Sequence, residues 1–180
     1  MFKKTLLFTV LIISLCCLKA ETFPKPSGYV NDFTNTLSVE QKTLLNDLSA
    51  DLEKKTGIEL VSVIVKNLDG DAIDDYANKL FAKWGIGKKD KNNGILFITA
   101  LDDRRTRIEV GYGLEGTITD GKAGEILDQY VIPYFRVGNI TKGIVIGHIA
   151  IAQILAKANG VSLSGAPVIS SQNQEIGQTR

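Results

Sequence analysis

Two β-branched runs separated by one amphipathic helix constrain this chain more than any other feature. Residues 58–65 and 95–101 are almost wholly apolar and rich in Ile and Val, the pattern of buried strands. Between them a helix is predicted over residues 71–84. Tyr76, Leu80, Phe81 and Trp84 line one face, Asp71 is the expected N-cap and Gly85 the stop. Strand, helix and strand in this order make a βαβ unit, with parallel strands and a right-handed crossover. Residues 102–105 read as a tight polar turn. A third strand over 106–112 is therefore expected antiparallel to the second.

Helices flank this unit. Ser38 and Gln41 form a capping box, Leu44, Leu45, Leu48 and Leu52 make one stripe, and Gly57 ends the first helix. Asp120 is the expected N-cap of a third helix that runs to about residue 132, before Pro133. A fourth helix spans 141–158, with Ile144, Val145, His148, Ile151, Ala152 and Leu155 at helical spacing. The expected fold is a three-layer α/β/α sandwich with a small mixed sheet and about four helices, over residues 21–160. Residues 161–180 are rich in Ser, Gln and Gly and read as a disordered tail.

The first twenty residues read as a signal peptide. Lys3 and Lys4 precede an uncharged apolar run over 5–18, and Ala20 offers a small residue at the cleavage site. An apolar run of this length is short for a transmembrane helix, so an uncleaved anchor is the second reading. Lipidation at Cys16 or Cys17 ranks third, because Leu15 and Ser14 fit a lipobox poorly. An exported, periplasmic protein is expected. Cleavage removes both cysteines, and loss of Lys3, Lys4 and Lys19 takes the formal charge from +1 to −2. Thiol chemistry is then excluded, and a nucleic-acid partner is not expected. No second apolar stretch is read as a membrane span.

Several motifs invite chemistry. Gly111-Tyr112-Gly113-Leu114-Glu115-Gly116 matches GxGxxG letter for letter. It follows a hairpin strand rather than leading from strand into helix, so nucleotide binding is not expected. The glycines are read as bending the chain away from the sheet. Gly85-Ile86-Gly87-Lys88-Lys89 lacks the spacing and the hydroxyl of a P-loop and is read as a helix stop and an exposed basic loop. The aspartates between 69 and 75 miss both the EF-hand and the haloacid-dehalogenase pattern, since Ile73 fills the fifth place. Asp102 and Asp103 lie at the carboxyl end of a parallel strand, where open α/β sheets bind ligands. Arg104 and Arg105 could neutralise them without a metal. Asp32, Glu115 and Asp120 are further candidate ligands for a hard cation. His148, the only histidine, sits on an apolar helix face and is read as a hydrogen-bonded core residue.

The chain also resembles the TPM domain family. The resemblance rests on Gly28-Tyr29-Val30-Asn31-Asp32-Phe33, the Leu-rich helix after Ser38, and Thr56-Gly57-Ile58-Glu59-Leu60. It continues through Tyr76-Ala77-Asn78, Trp84-Gly85-Ile86-Gly87, Asn93-Gly94-Ile95-Leu96, Arg107 to Gly116 and Thr119-Asp120. It implies a three-layer α/β fold, export, and binding of calcium or a similar divalent ion, magnesium being the alternative. Plant relatives are linked to acid phosphatase activity and photosystem II repair, and some bacterial relatives to assembly of membrane complexes. Asp32 and Asp120 match acidic motif positions of the family, and Asp102-Asp103 matches bacterial members better than plant ones, which weakens transfer of the phosphatase activity through that pair; with Glu115, a candidate from the residues alone, these make the expected cation ligands. Two roles follow: a binding module serving maintenance or assembly of envelope complexes, or a metal-assisted phosphatase with Arg104 as phosphate clamp.

Overall fold

The computed structural model describes residues 23–167 and 169. The predicted signal peptide and most of the predicted tail lie outside them. A four-stranded sheet forms the middle layer, in the order β1 (Val30–Asp32), β2 (Glu59–Val65), β3 (Gly94–Ala100) and β4 (Arg105–Val110). β1, β2 and β3 are parallel, and β4 returns antiparallel to β3. The βαβ unit and the hairpin are as the sequence predicts. β1 is an addition. Only three residues long, it carries too little periodicity to stand out after the Pro-rich lead-in.

Among the described residues five α-helices cover the sheet: α1 (Val39–Thr56), α2 (Ile73–Trp84), α3 (Asp120–Tyr130), α4 (Ile132–Arg136) and α5 (Ile140–Ala158). The side chains of β2 and β3 alternate between two cores, as the pleat requires. Leu60, Ile64, Ile95 and Phe97 face the larger cluster beneath α1, α3 and α5. Val61, Val63, Leu96 and Ile98 face α2, through Tyr76, Ala77 and Leu80. This is the expected three-layer sandwich. Leu45, Leu48 and Leu52 of α1 are almost wholly inaccessible, and each such side chain contributes about 1.5–3 kcal/mol on burial.

The capping box of α1 is present, with the Gln41 N–H donating to Ser38 Oγ at 3.3 Å and the Ser38 N–H to Gln41 Oε1 at 2.9 Å. Three other helix ends differ from expectation. α2 begins at Ile73 with Ala72 at the cap, and Asp71 instead pairs with Lys79. The Asp69-Gly70 turn, with both residues at positive φ, delays the helix past Asp71. Thr119, not Asp120, caps α3, its hydroxyl accepting from the Lys122 N–H. Asp120 is the first helical residue, where its charge still favours the helix dipole. Pro133 does not merely end a helix. It sits in the first turn of α4, where the missing N–H costs nothing.

α5 is long and apolar enough to span a membrane by length and composition, although no such stretch is expected beyond residue 20. Its apolarity has another cause here, since ten of its residues are buried in the core of this domain. Residues 161–167, read as the start of the tail, lie against α1 and α5. The Ser164 N–H donates to Asp51 at 2.8 Å, Lys55 donates to the Ser162 carbonyl, and Val161 and Leu163 touch the larger core.

Candidate functional site

The loops that follow β1, β2 and β3 meet at the carboxyl end of the parallel strands. They carry Asp32, the 66–72 segment and the Asp102–Arg104 turn. The last two are clipped together. The Asp102 N–H donates to the Lys66 carbonyl at 2.9 Å, the Leu101 N–H to the Val65 carbonyl at 3.1 Å, and the Leu68 N–H to Asp103 Oδ2 at 2.7 Å. Asp69 and Arg104 hold positive φ (52° and 53°), a conformation that costs energy in any residue but glycine and that recurs at ligand-binding loops. Asp69, Asp102, Asp103 and Arg104 are exposed.

Asp32 is at this end too, but its carboxylate is already engaged. Oδ1 accepts from the Thr34 N–H at 3.0 Å and the Thr34 hydroxyl at 2.8 Å, and Oδ2 accepts from the Leu37 N–H at 2.9 Å. Lys42 Nζ lies 3.2 Å from Oδ2, and the Asp32 side chain is fully inaccessible to solvent. Burial alone pushes the Asp32 pKa up. The hydrogen bonds from Leu37, Thr34 and Thr36 outweigh it and hold the group at about 2. Asp32 builds the turn between β1 and α1, and binding a cation there would require breaking these bonds.

Glu115 lies elsewhere. β4 carries the chain back along β3, so that Val110 pairs with Ile95 at the amino end of the parallel strands. Glu115 follows directly, in the turn after Val110, and Asp120 opens α3. A seven-residue strand, about 20 Å long, separates the two ends of the sheet. The structure thus gathers Asp102 and Asp103, together with Asp69, which sequence reasoning leaves among the unmatched motifs. It leaves Glu115 apart from them. Among the described residues, no group of three or more His, Cys, Asp or Glu side chains is arranged to hold a metal ion by itself.

His148 is fully buried between β2, α1 and α5. Ser62 Oγ lies 2.7 Å from Nδ1, and Ser49 Oγ lies 3.1 Å from Nε2. Burial lowers its pKa to about 3, so the ring is neutral at physiological pH. It is a core crosslink remote from solvent, as the apolar helix face implies.

The fold and this edge define a class: a three-layer α/β domain whose parallel strands present clipped acidic loops at their carboxyl end. Residues 30–154 match the family model described as the TPM domain, and the chain belongs to that family. The solved N-terminal domain of a protein from P. gingivalis is similar, at 31% identity and a TM-score of 0.69, over 79% of this chain and 88% of that one. The N-terminal domain of the cg2496 protein from Corynebacterium glutamicum shares 16% identity with a TM-score of 0.56, over 84% of this chain and 92% of that one. The BA42 protein from the psychrophilic bacterium Bizionia argentinensis shares 23% identity with a TM-score of 0.57, over 69% and 85%. The last two similarities are of fold. No curated protein matches the chain.

Proposed function

We propose that this TPM domain is an exported binding module whose carboxyl-end loops take a divalent cation, calcium ahead of magnesium. In this reading it serves the maintenance or assembly of membrane protein complexes in the cell envelope. The observation that carries the cation site is the clip between the two loops. Asp103 spends one carboxylate oxygen on the Leu68 N–H, which fixes the turn, and Asp69, Asp102 and Asp103 are all exposed on the two clipped loops. Calcium accepts carboxylates, carbonyls and several waters in loose geometry, so a half-built oxygen site suits it better than a softer metal. Asp32 holds its own loop through Thr34, Leu37 and Lys42, and Glu115, at the other end of the sheet, takes no part.

Titrating calcium and magnesium into the protein while following backbone amide shifts tests this. Saturable shifts in residues 67–70 and 101–105, weakened by Asp102→Asn, are expected. Shifts absent there, or spread evenly over the surface, would sink the reading. The phosphatase alternative puts Arg104 beside the bound cation as a clamp on a phosphomonoester. Hydrolysis that collapses in both Arg104→Ala and Asp103→Ala would move the enzyme ahead of the binding module.

A further inference from the structure

The opposite end of the sheet holds a second, differently made surface. Residues 111–116 leave β4 and fold directly onto the loop that precedes β3. The Gly111 N–H donates to the Gly94 carbonyl at 2.9 Å, and the Gly113 N–H to the Asn92 carbonyl at 3.0 Å. The approach is too close for any side chain. A Cβ at Gly111 would stand 2.3 Å from the Asn92 oxygen, and one at Gly113 would stand 2.0 Å from the Lys91 oxygen. Gly87 and Gly94 face each other in the same way, with 2.4 Å from an added Cβ at Gly87 to the Gly94 nitrogen. Asn93 and Glu59 complete the weld. The Asn93 amide donates to the Gly57 carbonyl and its oxygen accepts from the Lys88 N–H, while Glu59 accepts from the Gly87 N–H.

Four close-packed glycines and a non-glycine residue at positive φ (Asn92, 47°) are a costly way to join two loops. The packing of the core does not need Tyr112. Leu114 and Ile118 anchor the segment by burial, whereas Tyr112, between the two glycines, is 79% exposed. The other exposed large apolar residues among those described, Phe33, Val39 and Val137, belong to other segments, Val39 to the start of α1. On the welded loop Lys88, Lys89 and Lys91 are exposed and in no ion pair among the described residues, and they outnumber the exposed carboxylates of the same surface, Asp90 and Glu115, by three to two.

We infer that Tyr112 and the Lys88–Lys91 loop form a docking surface for a protein partner that presents an acidic segment. A tyrosine on a rigid backbone loses little entropy on being covered, which is why such residues anchor interfaces. The lysines supply the rim that attracts and orients carboxylates. A lipid surface is the poorer match. Membrane adsorption needs a buried apolar face as well as charge, and on these two loops Tyr112 alone among the described large apolar residues is exposed.

The probe is a labelled peptide of alternating Glu and Leu, with a Lys and Leu peptide as control and anionic phosphatidylglycerol vesicles as a third arm. The acidic peptide should shift the amides of residues 88–92 and 111–116. Its affinity should fall about tenfold in Tyr112→Ala. It should also fall with rising salt, as steering by exposed lysines requires. Because Tyr112 is exposed, the variant should keep its other amide shifts, which separates lost binding from lost folding. No shift at these residues, equal binding by Tyr112→Ala, or equal binding of the Lys and Leu peptide would overturn the assignment. So would vesicle binding that depends on Tyr112 while the acidic peptide stays inert.

Discussion

Asp32 shows how a residue can match an acidic motif and still be structural. Sequence marks the carboxylate but not its partners, which are backbone N–H groups one turn downstream. Asp32→Asn would replace an acceptor oxygen with an NH₂ group facing the Leu37 or Thr34 donors. We expect a loss of about 2–3 kcal/mol in urea unfolding at pH 7, because a buried donor is left unmatched. The difference should shrink with acid. A folded pKa of about 2, below the usual carboxylate value, gives stability that is complete above pH 4 and lost as pH falls towards 2. His148 acts over a higher window. Its folded pKa of about 3 lies below the unfolded value near 6.5, so between these values only the unfolded chain takes up the proton. This group should therefore remove up to about 1.4 kcal/mol per pH unit as pH drops below 6.5. His148→Gln should flatten that limb of the pH–stability curve while lowering stability at pH 7, and chemical unfolding measured from pH 7 to 4 checks both.

At the scale of elements, the legible parts were those whose signal is periodic. The β-branched runs, the leucine stripe of α1 and the capping box each repeat a local rule, and each appears where the pattern places it. What the sequence hid depends on distant neighbours or on single residues. β1 exists because Val30–Asp32 pair with Ser62–Ile64 across the edge of the sheet, a partnership no window of local sequence contains. The cap of α3 shifted by one residue because threonine and aspartate both qualify, and only geometry chooses. α5 carries a further hidden constraint. A Cβ at Gly147 would meet Val131 Cγ2 at 2.5 Å and the Phe97 ring at 3.1 Å, and one at Gly143 would meet the Phe135 ring at 2.6 Å. These glycines let α5 settle against α4 and β3. Ala gains helix propensity of about 1 kcal/mol over Gly, but overpacking costs about 1–3 kcal/mol. Gly147→Ala should therefore lower the thermal midpoint, whereas Gly124→Ala on the open face of α3, with nothing within 4 Å, should hold or raise it.

At the scale of the whole molecule, the question is how the acidic residues distribute between the two ends of the sheet. The sequence supplied the candidates, and Asp102 with Asp103 at a strand end could be read directly. Their separation from Glu115 could not, because it follows from β4 running back along β3. Both signs occur at each end: Asp69, Asp102 and Asp103 lie with Lys66, Arg104 and Arg105 at the carboxyl end, and Lys88, Lys89 and Lys91 with Asp90 and Glu115 at the amino end. A strand length of about 20 Å exceeds the screening length of about 8 Å at physiological ionic strength, so the two ends should respond independently. Both faces of the sheet between them are packed core, and coupling would need a two-state element that both ends bias. We therefore expect saturating calcium to shift residues 101–105 but leave the amides of 111–116 in place. The affinity of the acidic peptide should change less than about twofold on adding calcium, since coupling requires a difference in binding energy between two states. Calorimetric titration of the peptide with and without calcium gives that ratio. A larger change, persisting in Asp102→Asn, would mean that calcium binds at the lysine end itself.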